Sequence, residues 1–170
     1  MNRMKDAKAI RHALEKIQDE KRYEHTLGVA YTAMALAMKY DVSLKDAELA
    51  GLLHDCAKCM EDAKKIAFCE KHNIEITEVE RKNPYLLHAK VGGFLAMDTY
   101  HINDINILNA IINHTTGRPG MSTLEKIIFI ADYIEPGRKQ APNLSDIRKL
   151  AFNNLDKALL WILKDTLTYL

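Results

Sequence analysis

Asp132 stands where a carboxylate is costly. It follows Ile127, Ile128, Phe129, Ile130 and Ala131 and precedes Tyr133 and Ile134. On a helix its neighbours one turn back are Ile128 and Phe129, so no local cation pairs with it. An unpaired buried carboxylate costs roughly several kcal/mol and would rather take up a proton. Two partners would answer that cost: a buried Arg or Lys from elsewhere in the fold, or a metal ion.

The stretch AELAGLLHDCAK repeats the pattern, with His54 and Asp55 closing an apolar run. Adjacent helical residues project about 100° apart, so the pair reaches one ion only if the helix ends there. Lys58 follows Asp55 by three residues. It reads either as an ion-pair partner of Asp55 or as a cation for a phosphate oxygen. His25, His88 and His114 also sit in apolar helical settings. Each alone reads as a core or capping histidine. Together with His54, Asp55 and Asp132, on five separate helices, they suggest a metal centre. His12, His72 and His101 have polar neighbours and read as exposed.

The elements that must position these residues are helical. The apolar period is that of helices, with few alternating strands. Helices are expected over Met4–Asp19, Arg22–Tyr40, Leu44–Cys56, Asp62–His72, Pro84–Met97, from Asn103 or Asp104 to His114, and from Ser122 to Pro136. Leu144–Leu170 reads as one or two more. Ser43 is an expected cap, and Ser122 with Glu125 forms a capping-box pattern. HNIEITEVERKN reads as loop with a short helical turn, TTGRPGM and GRKQAPN as loops.

With 170 residues, a net charge of +1, four prolines and seven glycines, the expectation is one all-α domain over 1–170. No whole-molecule field draws nucleic acid or a membrane surface, and charged residues interrupt every candidate membrane span. Without a signal-peptide core, a cytoplasmic location is the default. The three cysteines include a Cys56–Cys59 CxxC without a second pair, so they read as reduced fillers.

In chain order the polar residues read H, HD, H, H, D, which resembles the HD-domain metal-dependent phosphohydrolases. The strings RYEHTLGV, AGLLHDCAK, NPYLLHAKVGG and INHTTGRPGMSTLEKIIFIADYIEPGR are similar to the bacterial YqeK-type symmetrical diadenosine tetraphosphatases. The resemblance runs from about 21 to 138, with helices 144–170 beyond it. It implies an all-helical HD-domain bundle holding one or two divalent or trivalent metal ions, iron first, with manganese or nickel as alternatives. It implies symmetrical cleavage of diadenosine tetraphosphate into two ADP. The partners are a nucleotide substrate and ADP-like product, not nucleic acid or membrane, and a homodimer is among the expectations.

By matching position, the resemblance gives His25, His54, Asp55 and Asp132 as core ligands. His88 and His114 complete a second ion or touch phosphates. Arg22, Lys58, Thr115 and Arg138 are phosphate-contact candidates, and His54, Asp55 and Lys58 carry the catalytic roles. Similar chains continue for a short segment past the position of Leu170, and that segment helps close the nucleotide site. Two cations about 3.5–4 Å apart neutralise phosphate oxygens and acidify a water, and Asp55 is the expected bridge. Imidazole and carboxylate without thiolate suits iron, manganese or nickel. The loop Gly117–Gly120 is expected to be mobile enough to admit a bulky substrate. The competing expectations are another HD phosphohydrolase (nucleoside monophosphate, dNTP or cyclic dinucleotide), a non-catalytic nucleotide sensor, and a helical adaptor.

Overall fold

Side-chain caps start most of the helices in the computed structural model, which describes residues 6–168. Helix α1 spans Ala7–Ile17 behind Asp6, α2 spans Glu20–Lys39 behind Asp19, and α3 spans Leu44–Leu53 behind Ser43. Helix α4 spans Asp62–Lys71 and α5 spans Glu78–Lys82, the latter with a Thr77–Glu80 capping box. A 3-10 turn, Pro84–Leu87, runs into α6, His88–Asp98. Helix α7 is Ile105–Ile112 and α8 is Thr123–Ile134, where the expected Ser122–Glu125 box is present. Helices α9, Leu144–Ala151, and α10, Leu155–Thr168, complete the all-helical fold. The expected Met4 start and the final residues 169–170 lie outside the described residues.

Helix α8 is the centre of the packing. It buries Leu124, Ile127, Ile128, Phe129, Ile130, Ala131 and Ile134, and it touches α2, α3, α7, α9 and α10. Helix α2 lies along α3 at very short range. A Cβ on Gly51 would come within 2.7 Å of Ala30 Cα, so only glycine permits this approach. The resulting core joins Val29, Ala33 and Leu36 to Leu52, Leu53, Ile111 and Ile128. A smaller core of Ala57, Cys69, Leu87 and Val91 sits under α4 and α6.

Two boundaries around the site differ from the sequence expectation. The α3 helix stops at Leu53, three residues before the expected Cys56. Pro84 opens a 3-10 turn, and α6 proper begins at His88. Of the one or two helices expected after Leu144, the structure has two, broken at Phe152–Asn154. His72 is half-buried against Phe68 and Phe94, whereas His12 and His101 are exposed as expected. No helix among the described residues is long and apolar enough to cross a membrane.

Candidate metal centre

Helix ends, more than helix faces, build this site. His54 is the residue after α3, and its Nδ1 lies 2.7 Å from the Gly51 carbonyl. His114 follows α7, with Nδ1 2.7 Å from the Ile111 carbonyl. His88 sits where the 3-10 turn becomes α6, with Nδ1 2.5 Å from the Tyr85 carbonyl. A carbonyl can only accept, so each Nδ1 carries its proton and each Nε2 keeps a lone pair. The fourth ring, His25, projects from inside α2 with Nδ1 3.0 Å from Glu135 Oε1.

All four Nε2 atoms converge on two carboxylates. Asp132 Oδ1 is 3.0 Å from His25 Nε2 and 3.8 Å from His54 Nε2. Asp55 Oδ2 is 3.5 Å from His54 Nε2 and 3.9 Å from His25 Nε2. Its other oxygen, Oδ1, is 3.2 Å from His88 Nε2 and 3.4 Å from His114 Nε2. Asp55 therefore stands between two imidazole pairs, one oxygen toward each. His25, His54 and Asp55 form one set of groups near enough to share an ion; Asp55, His88 and His114 form another, and His54, His114 and Asp132 a third.

These residues fit a divalent cation. His25 Nε2, His54 Nε2 and Asp55 Oδ1 are buried and make no hydrogen bond. Orphaned buried acceptors are costly, and a metal ion satisfies several at once. His88 Nε2 and His114 Nε2 approach to 3.2 Å. Burial pushes the His88 imidazole below its ordinary value although Asp55 opposes this, which favours the neutral, ligating form. Burial alone would raise Asp55, but the close approach of the His54, His114 and His88 rings outweighs it and holds the carboxyl well below its usual range. Asp132 is lowered in the same sense; burial opposes it, and the nearness of His25, His54 and His114 prevails.

Asp132 is not without a charged protein partner. Arg138, six residues on and past the end of α8, donates from Nη2 to Asp132 Oδ1 at 2.8 Å and from Nε to its carbonyl at 2.9 Å. It lies beyond the one-turn neighbours of Asp132 on the helix, because the chain must turn at Pro136–Gly137 to bring it back. Arg22 places Nη1 2.6 Å from Asp55 Oδ2. Lys58 points at His88, Nζ to Nε2 3.5 Å, rather than forming the alternative ion pair with Asp55. Burial lowers the Lys58 ammonium from its usual value while Asp55 raises it. Thr115 Oγ1 lies 3.1 Å from His114 Nε2 and 3.3 Å from His88 Nε2. A cavity of about 690 Å³ opens over His114, Thr115 and Asp132, walled by Phe129, Tyr133 and Arg138.

Residues absent from the sequence reading support the site from behind. Gln18 bridges the buried Thr26 hydroxyl, at 3.0 Å, to the Asp55 carbonyl, at 3.5 Å. Glu135 backs His25. The loop after His114 is tethered: Arg118 makes a two-point contact with buried Glu125, Nε to Oε1 2.7 Å and Nη2 to Oε2 3.0 Å. Its Gly and Pro content alone marked it as mobile. The Cys56 thiol is buried, pushed up to about 12 by burial and the charge of Asp55, and stays apart from the exposed Cys59.

Buried imidazoles with buried Asp55 and half-buried Asp132, fit for a divalent ion and rimmed by arginine and lysine in an all-helical fold, define a metal-dependent phosphohydrolase class. The HD domain family model matches residues 22–137. The chain is 43% identical to the symmetrical bis(5'-nucleosyl)-tetraphosphatase of Bacillus subtilis over 89% of this chain and 80% of that protein. It is 43% identical to the one of Staphylococcus aureus over 96% of this chain and 84% of that protein. It also superposes on an HD superfamily hydrolase from Clostridium acetobutylicum, described as involved in NAD metabolism. There the TM-score is 0.92 at 44% identity, covering 96% of this chain and 86% of that one. The chain belongs to the HD domain family, in its group of bacterial symmetrical bis(5'-nucleosyl)-tetraphosphatases.

Proposed function

We propose that this protein hydrolyses diadenosine tetraphosphate symmetrically into two ADP at a two-ion centre, with iron as the working metal. The observation that carries the two-ion reading is Asp55, whose two oxygens face separate imidazole pairs. The relatives named for the same reaction support the substrate. His25, His54 and Asp132 would hold one ion with Asp55, and His88 and His114 the other. Iron, or manganese in its place, suits this thiolate-free donor set. When bound, the metals would supply charge neutralisation on the phosphate oxygens and a water acidic enough to ionise near neutral pH.

The protein's own groups do the rest. Lys58, beside His88, is aimed at charge that builds on phosphate oxygens in the transition state. Arg22 and Arg138 offer planar forks to the polyphosphate. Thr115 offers a hydroxyl beside His88 and His114. The cavity walled by Phe129 and Tyr133 has the aromatic lining a nucleoside requires. The test is a product assay with metal analysis of the same preparation. Two ADP per substrate with bound metal is the expected result. AMP plus ATP, or turnover by metal-free protein, would overturn the proposal.

A further inference from the structure

Three of the four site imidazoles need no side chain to hold them. His54, His88 and His114 each donate Nδ1–H to the carbonyl three residues earlier, at helix ends and junctions. His25 has no such recourse. It lies inside α2, Glu20–Lys39, where the carbonyls one turn back are consumed by the helix. Its Nδ1 meets Glu135 Oε1 at 3.0 Å instead.

Glu135 is built into place. It is 3% exposed. Its Oε2 accepts from the Gly137 amide at 2.6 Å, and its carbonyl accepts from Arg148 Nη2 at 2.8 Å. The same guanidinium also takes the Ile134 and Arg138 carbonyls, at 2.8 and 3.1 Å, and so secures the whole turn. Gly28 stands one turn after His25 on the same face of α2. A Cβ there would come within 2.5 Å of Glu135 Oε2. Glycine inside a helix costs about 1 kcal/mol against alanine, and room for this carboxylate is what offsets it.

We infer that Glu135 is the positioning residue that aims His25 Nε2 at the metal, and that Gly28 is required to seat it. This rests on the metal-centre reading above. A carboxylate on the far nitrogen of a ligating imidazole fixes its tautomer and ring angle and raises its basicity; losing such a partner costs about 10–100-fold in metal affinity.

The experiment is Mn²⁺ titration of metal-stripped protein by calorimetry, with melting curves of the stripped forms. It compares the wild type, Glu135→Ala, Gly28→Ala and the double variant. Each single change is expected to weaken Mn²⁺ binding about 10–100-fold. The double variant should bind no worse than Glu135→Ala, because both act through one carboxylate. Should Glu135→Ala not fold, Glu135→Gln carries the same readout, since an amide can serve His25 or the Gly137 amide as acceptor but not both. Unchanged Mn²⁺ affinity in folded Glu135 variants overturns the inference. So does a Gly28→Ala effect confined to melting temperature, or one fully additive with Glu135→Ala. A wild type that binds no Mn²⁺ instead overturns the metal centre itself.

Discussion

Asp55 Oδ1 lies 3.2 Å from His88 Nε2, and neither atom has a proton to offer the other. Two facing lone pairs at that distance repel unless a cation lies against both. Because Asp55 also turns Oδ2 toward His54, its removal should undo both proposed ion positions together. Asp55→Ala is expected to lose all tightly bound metal and at least a thousandfold in turnover (order of magnitude, about that of removing a key transition-state contact). Circular dichroism should remain that of the parent. Full metal content in the variant would refute the bridge.

Lys58 is a different case, since it touches a ring without belonging to the ligand set. Lys58→Gln is expected to lower kcat about 10²–10³-fold while KM and metal content change little. Metal analysis alongside steady-state kinetics separates this from ligand damage.

Metal should also act on stability. An ion that binds only the folded chain adds about 4 kcal/mol when present at a thousand times its dissociation constant. Stripping with a chelator is therefore expected to lower the melting temperature by several degrees, and restoring Fe²⁺ or Mn²⁺ should recover it. Identical melting curves for stripped and loaded protein would contradict the centre.

The Arg118–Glu125 contact predicts an acid limit remote from the candidate metal centre. Burial would raise the Glu125 carboxyl, but the Arg118 hydrogen bonds, with those from Ser122, hold it below its usual value. A depressed folded value gives stability that is complete above the unfolded carboxyl value of about 4.3 and is lost as pH falls below it. Metal-free protein should therefore lose stability below about pH 4.3, and Glu125→Gln should show a shallower fall. Glu125→Gln should also be less stable near neutral pH, by about 2 kcal/mol, because the buried carboxylate's charged hydrogen bonds are gone. Denaturant melts across pH 3–7 read both effects.

Gly51 sets the distance between the helix that carries His25 and the one that ends at His54. Gly51→Ala should separate them, costing about 1–3 kcal/mol by overpacking and weakening metal binding without touching a ligand. Thermal melts and Mn²⁺ titration of the same sample test this.

The six ligand candidates were legible in the sequence because a charged or imidazole group inside an apolar run is anomalous on its own terms. Asp132 stands out among isoleucines, and the structure places it half-buried at the edge of the cavity. Their supports were not legible. Glu135 sits at the end of α8 beside a proline and a glycine, where an exposed acid is ordinary. Gln18 looks like any polar residue closing a first helix, yet it is buried against the Asp55 carbonyl. Arg138 reaches Asp132 only through the turn after α8, a path no helical period describes. Ser122 and Glu125 gave a capping box, but nothing local revealed that Glu125 also grips Arg118. Local pattern exposes residues that conflict with their surroundings; it hides those whose partners arrive through tertiary structure.

Main-chain oxygen holds His54, His88 and His114 from behind, and every amino acid supplies that oxygen. Replacement of Gly51, Tyr85 or Ile111 therefore leaves the latch itself in place, whatever it does to packing. Mutational fragility of the rings' orientation is concentrated at His25, behind which the Glu135 carboxylate at the end of α8 does the same task and can be deleted by one codon change. Drift around this centre should accordingly disturb ring orientation unevenly: behind three rings it acts only through packing, as at Gly51, and behind the fourth it can remove the partner itself.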